Sequence, residues 1–181
     1  ADIGPQAFQP YDMEEDSMAD DRPVVVYAGS YDDGFAAEVD FRDIKAMHKD
    51  KLISKYDSAL FTKEPGGEVD VLNTDSTART KGAKWGAVTG AVLGLLFPPS
   101  LVVGLVWGTG IGTLVGHMAK GWSHKDIREL GEVLEVGQTG VVVIAEATPD
   151  AVAGRILKQA DRTHQKTIEE KADEFRKALD D

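Results

Sequence analysis

The sequence predicts an α+β sandwich with a helical hairpin inserted into it, and three observations carry the prediction. Short runs rich in β-branched residues are separated by stretches whose apolar positions follow helical spacing. A central apolar segment holds two rows of glycines at intervals of four. Between Asp75 and Asp126 there is not one acidic residue, although the chain as a whole is acidic.

The 181 residues are 42% hydrophobic, enough for one core of ordinary size and an appendage. Thirty-one acidic against 20 basic residues give a net charge of −11, which repels phosphate backbones and argues against a nucleic-acid partner. The absence of cysteine excludes disulfides, thiolate nucleophiles and cysteine-ligated zinc, and it fits a reducing compartment. The N-terminus is acidic and shows no basic stretch followed by an apolar run, so no secretory leader is expected.

Residues 1–22 read as an acidic flexible tail, with Asp2, Asp12, Glu14, Glu15, Asp16, Asp20 and Asp21 against Arg22 alone. Met18 suits a start site for the domain proper. Ile3, Phe8, Pro10, Tyr11 and Met13 could dock on a protein partner, whose basic surface the acids would steer toward. Val24-Val25-Val26-Tyr27-Ala28 is an uninterrupted apolar run, the pattern of a strand buried on both faces. Gly29 to Gly34 is expected to turn, and Phe35, Val39, Ile44 and Met47 mark an amphipathic helix over 35–48. Tyr56–Lys63 is the second strand, Pro65-Gly66-Gly67 a turn, and Glu68–Leu72 a third strand that closes a hairpin.

Beyond the apolar segment, Ser123 caps a short helix to about Leu134, which Gly137 ends. Gly140-Val-Val-Val-Ile-Ala is the fourth strand. Thr148-Pro149-Asp150 opens a helix to about Ala160, with proline at its first position. Thr167 and Glu170 form a capping box for a last helix bearing Ile168, Ala172, Phe175 and Leu179 on one face. A further short strand is admitted near 162–166. The resulting β-α-β-β-α-β order describes a ferredoxin-like sandwich over 23–77 and 122–181, with residues 78–121 as the inserted hairpin.

Glycines stand at 82, 86, 90 and 94, and again at 104, 108, 112 and 116, with Phe97-Pro98-Pro99-Ser100 between the rows. Four residues advance a helix by about 400°, so each row lies along one helical face as a groove where another helix can approach at backbone contact. Eight helix-interior glycines cost roughly 6–8 kcal/mol relative to alanine, and close packing has to offset that. The rows therefore predict helix packing, either within the hairpin or between copies in a homo-oligomer. Each arm measures roughly 24–27 Å, slightly short of a hydrocarbon core of about 30 Å. Trp85, Trp122, Lys81, Lys84, Lys120 and Lys125 gather at the base, as interfacial residues beside membrane lipid would. An uncharged apex could enter lipid, and the basic flanks then put both arm ends on the cytoplasmic side. The alternative is a soluble cytoplasmic assembly whose hairpins pack in a dry hub.

The chain resembles the bacterial domain-of-unknown-function family numbered 1269, whose members carry the label of predicted membrane proteins. The likeness is carried by Val24-Val-Val-Tyr-Ala, Ala59-Leu-Phe-Thr-Lys, Ala78-Arg-Thr-Lys-Gly-Ala-Lys-Trp-Gly, the glycine rows and Gly140-Val-Val-Val-Ile-Ala-Glu-Ala-Thr-Pro-Asp. It covers about residues 23–181 and leaves the tail outside. It implies a ferredoxin-like domain with a glycine-zipper hairpin, and it supplies no catalytic residues.

Sites of chemistry are sparse. His48, His117, His124 and His164 lack ligand spacing, and no metal or cofactor is expected. Gly108-Thr-Gly-Ile-Gly lacks the strand before it and the acid after it that a phosphate loop needs. Asp32 and Asp33 suit a helix start at least as well as a ligand. No serine, histidine and acid form a nucleophile arrangement, so an enzyme is not expected. The expected role is a non-enzymatic, self-assembling, membrane-associated structural protein. The competing expectation is a small-ligand sensor oligomerised by the hairpin.

Overall fold

The computed structural model describes residues 22–77, 102–103, 125 and 135–168. In chain order these form β1 (Val24–Tyr31), α1 (Gly34–Lys49), β2 (Ile53–Lys63), β3 (Val69–Ser76), β4 (Val102–Val103), β5 (Thr139–Ala147), α2 (Pro149–Val152) and β6 (Arg162–Ile168). They build one sheet in the order β4-β3-β2-β5-β1-β6. The five longer strands run antiparallel to their neighbours, and the two-residue β4 adds to β3 in parallel. The protein is thus an α+β fold on a five-stranded antiparallel sheet with few helices. Among the described residues, no helix is long and apolar enough to cross a membrane.

Register defines two ends of the sheet. Tyr31 opposite Thr139, and Lys63 opposite Val69, mark the head end. Val24 opposite Glu146, and Asp57 opposite Ser76, mark the foot end. The continuous apolar runs have the expected consequence: every residue of β1 is buried, as are Gly140 to Ala147 of β5. One face carries Val25, Tyr27, Tyr31, Tyr56, Leu60, Val141, Val143 and Ala145, which pack with Ala37, Phe41, Ile44 and Met47 of α1 and with Val152, Ile156 and Leu157. Strand alternation puts Val24, Val26, Ala28, Asp57, Ala59, Phe61, Val142, Ile144 and Glu146 on the other face, where each is at most 2% exposed.

Several expectations change. Gly29 lies inside β1, and the turn falls at Asp32–Asp33. A Cβ on Gly29 would stand 3.0 Å from Ala160 Cβ and 3.1 Å from Leu157 Cδ1, so the glycine serves close approach of the 157–160 segment. In α1 the buried stripe is Ala37, Asp40, Phe41, Ile44 and Met47, whereas Phe35 is 67% exposed. The helix opened by Thr148-Pro149 ends at Val152, because Gly154 takes a φ of +68° and the chain leaves helical geometry. Thr167 and Ile168 belong to β6, opposite Val25 and Val24, so the capping-box reading gives way to strand pairing. Arg22, placed in the tail by sequence, donates to the carbonyl oxygens of Lys51 and Leu52.

Val102 and Val103 are extended against Val69 and Asp70, where the second hairpin arm predicts helix. The open edge of β3 offers backbone partners, and two consecutive valines suit an extended chain. The remaining hairpin residues lie outside the described residues. So do the helix expected over 123–134, apart from Lys125, and the last helix beyond Ile168.

Candidate functional site

The segment between β5 and β6 builds a cleft against β1. After α2 the chain curls through Gly154 and through Leu157, whose φ is +50°, and rejoins the sheet where the Asp161 N–H donates to the Ser30 carbonyl at 2.9 Å. The curl is held from beneath by Asp40 of α1. Its carboxylate is 2% exposed and accepts from the Tyr31 hydroxyl at 3.0 Å, from the Gln159 backbone N–H at 2.7 Å and from Gln159 Nε2 at 3.3 Å. Burial, and then the Asp40 carboxylate beside it, push the Tyr31 hydroxyl far above the ordinary tyrosine range. Tyr31 is therefore a fixed neutral donor. At the surface Lys158 bonds to Asp43 at 2.6 Å, fastening the same segment to α1.

The cleft holds about 490 Å³. Ala153, Ile156, Leu157 and Ala160 line one side, and Tyr27, Thr163, His164 and Gln165 the other. Tyr27 is 4% exposed and its hydroxyl has no hydrogen-bond partner among the described residues. Burial raises its pKa to about 12, so it stays protonated and can donate one hydrogen bond to a guest. No carboxylate is among the lining residues, and the one lysine is engaged with Asp43. The arrangement offers hydrogen bonds and apolar contact. Among the described residues no group of three histidines, aspartates or glutamates could hold a metal ion.

A polar cluster closes the head end. Asp33 caps α1 by accepting from the Phe35 N–H at 2.9 Å. Asp32 accepts from Gln138 Nε2 at 2.6 Å while its own N–H donates to the Asp161 carboxylate at 2.6 Å. Asp33 therefore starts the helix and Asp32 ties loops together, structural roles of the kind weighed from sequence.

Of the helix-packing and membrane-interface residues expected from sequence, Lys125 is described and is exposed. Gly82, Gly86, Gly90, Gly94, Gly104, Gly108, Gly112, Gly116, Trp85, Trp122, Lys81, Lys84 and Lys120 lie outside the described residues, as do His117, His124 and the tail up to Asp21. Sequence reasoning missed the Tyr27–His164 cleft because it ran a helix straight through 149–160. Gly154 was the available signal, since glycine near the end of a short helix marks a left-handed stop.

Fold and cleft together define an α+β protein with a small-molecule-sized recess between the 153–160 segment and β1 and β6. The family model described as "Protein of unknown function (DUF1269)" matches residues 83–180, more than half of the chain, and the chain belongs to that family. The match takes in β5, α2, β6 and seven of the eight row glycines, while β1 to β3 precede it. No curated protein and no solved structure matches.

Proposed function

We propose that this chain is a non-enzymatic, self-assembling structural protein that associates with the cytoplasmic side of a membrane through the glycine-row hairpin of residues 78–121. One observation carries the reading: two unbroken rows of four glycines at a spacing of four, Gly82 to Gly94 and Gly104 to Gly116. Such rows strip side chains from a helix face, and only close helix contact offsets their cost. Lys81, Lys84, Lys120, Lys125, Trp85 and Trp122 are suited to an anionic headgroup layer, and membrane lipid is the second partner after the chain itself. The frame of the domain reads as ferredoxin-like. Supporting this, β1-α1-β2 and β5-α2-β6 interleave as β2-β5-β1-β6, with β3 as an added edge strand.

Gly90→Leu and Gly108→Leu test the assembly, because they keep apolar character and block backbone approach. Each should lower particle size in light scattering, with and without detergent. Unchanged size and unchanged thermal stability in both would overturn the reading.

A second reading is favoured by the cleft. A buried Tyr27 hydroxyl, unpartnered among the described residues and facing a recess of about 490 Å³, suits a small, uncharged ligand with one acceptor, which would make the domain a sensor oligomerised by the hairpin. Small molecules that survive purification and are lost from Tyr27→Phe would support it.

A further inference from the structure

We infer that the recess between the 153–160 segment and the sheet is a site for a small, uncharged carboxamide or lactam, whose carbonyl accepts from the Tyr27 hydroxyl and whose N–H donates to the side chain of Gln165. The inference rests on the reading of that recess as a ligand site, and it adds the class of ligand and the residue that selects it.

Register puts the two polar groups side by side. Tyr27 of β1 stands opposite Gln165 of β6, and Gly29 stands opposite Thr163. Directly opposed residues of an antiparallel pair share a face, with Cβ atoms about 4.5–5.5 Å apart. Tyr27 packs in the core with Ile156 and Leu157, so Tyr27, Thr163 and Gln165 all belong to the face that the 153–160 segment covers, and all three line the recess. From Thr163 to Gln165 this polar row spans two strand steps, about 7 Å. The Tyr27 hydroxyl is buried with no partner among the described residues, and an acceptor in the recess removes the cost of leaving it unsatisfied. Gln165 is exposed at the rim, and its amide has an oxygen to accept and an NH2 to donate.

The opposite wall is apolar. Ala153, Ile156, Leu157 and Ala160 face the polar row. Leu157 holds a φ of +50°, a conformation that a leucine keeps only where its surroundings over-determine it and that clusters at ligand clamps. At Gly29 this wall meets the sheet, since an added Cβ would stand 3.0 Å from Ala160 Cβ, and the recess is shut on that side.

A guest between such walls has one apolar face and one polar edge. No carboxylate lines the recess, Lys158 is bonded to Asp43, and strand alternation turns the His164 side chain to the other face. Nothing there offsets the desolvation of a charged guest. An amide edge carries an acceptor and a donor on neighbouring atoms and so meets Tyr27 and Gln165 together. A ketone meets Tyr27 alone.

Benzamide, acetophenone and benzoate share a ring and differ in that edge, which makes them the probes. Their binding to the full chain is read by ligand-observed NMR titration. Benzamide should bind with a Kd of about 1 mM, the range of a fragment this small. Acetophenone should bind about 3–10-fold more weakly, the worth of one neutral hydrogen bond, and benzoate more weakly still. Tyr27→Phe should weaken benzamide and acetophenone alike, by about the same factor. Gln165→Leu should weaken benzamide by that factor and leave acetophenone unchanged. Ala153→Trp, at an exposed position of the apolar wall, should fill the recess and abolish binding of both, with circular dichroism showing that each variant is folded. Equal binding of benzamide and acetophenone, or a Gln165→Leu variant that weakens both equally, overturns the amide assignment and leaves the recess as a ligand site. Binding that survives Ala153→Trp lies elsewhere and overturns the assignment as well. No binding of either neutral probe at about 20 mM, far above the expected Kd, overturns both readings and leaves the recess to water.

Discussion

Asp40 is the residue whose removal has the most readable cost. Its carboxylate accepts from Tyr31, which is 1% exposed, and from the backbone N–H of Gln159, while Gln159 Nε2 lies near solvent and can turn to water. Asp40→Ala strands two donors, the Tyr31 hydroxyl and the Gln159 amide. A buried donor left unsatisfied costs about 1–3 kcal/mol, so the pair predicts about 2–6 kcal/mol, less whatever is regained by no longer burying a carboxylate. A net loss of about 2–4 kcal/mol lowers the melting temperature by roughly 5–15 °C in a chain of this size. Circular dichroism melting measures the total, and hydrogen exchange at Gln159 locates it. Asp40→Asn, which keeps one acceptor, should fall between. Tyr31→Phe removes one stranded donor, so the double variant should lose less than the sum of the singles. An Asp40→Ala variant within about 0.5 kcal/mol of the parent would show that Asp40 does not hold the curl, since that is the level of an ordinary surface change.

Other outcomes follow from single positions. Gly29→Leu drives a side chain into Ala160 and Leu157 and should cost roughly 1–3 kcal/mol, with fast exchange appearing across 157–160. Gly154→Ala meets no atom within 4 Å but must hold a φ of +68°, so about 1 kcal/mol of pure backbone strain is expected in denaturant melts. Tyr27 has a folded pKa of about 12, raised from 10.0 by burial, so its stabilisation is present below about pH 10 and lost as pH rises through 12. Tyr27→Phe should soften that alkaline loss, and equal alkaline slopes in parent and variant would count against a neutral buried hydroxyl. Deleting residues 1–17 should shrink the assembly or abolish a pull-down partner if the acidic tail docks, and should change neither if it is solvated charge.

The strands were legible because burial on both faces writes itself as unbroken apolar runs, as in Val24–Ala28 and Gly140–Ala145. Their order was harder. The sequence gives Glu68–Leu72 only as the hairpin partner of β2 and leaves β6 optional, whereas in the sheet β3 and β6 flank β2, β5 and β1. Arg162-Thr-His-Gln-Lys-Thr carries no apolar alternation, because its partner β1 defines it through backbone pairing. The cleft escaped for a related reason. Its geometry depends on two left-handed residues, Gly154 and Leu157, and a leucine gives no hint of positive φ. Asp40 was invisible as well: an aspartate three residues from Ala37 and four from Ile44 reads as the wet flank of the helix until a tyrosine hydroxyl is found above it.

The base cations carry a prediction that salt tests. Pairing with anionic headgroups is a surface interaction, worth about 1 kcal/mol per lysine and screened over roughly 8 Å at physiological ionic strength. Raising salt about tenfold should therefore release the protein from acidic vesicles, and changing Lys81, Lys84, Lys120 and Lys125 to Gln should weaken flotation at low salt. Equal flotation of the parent with neutral and acidic vesicles removes the headgroup role, because a charge-driven contact has to distinguish the two surfaces.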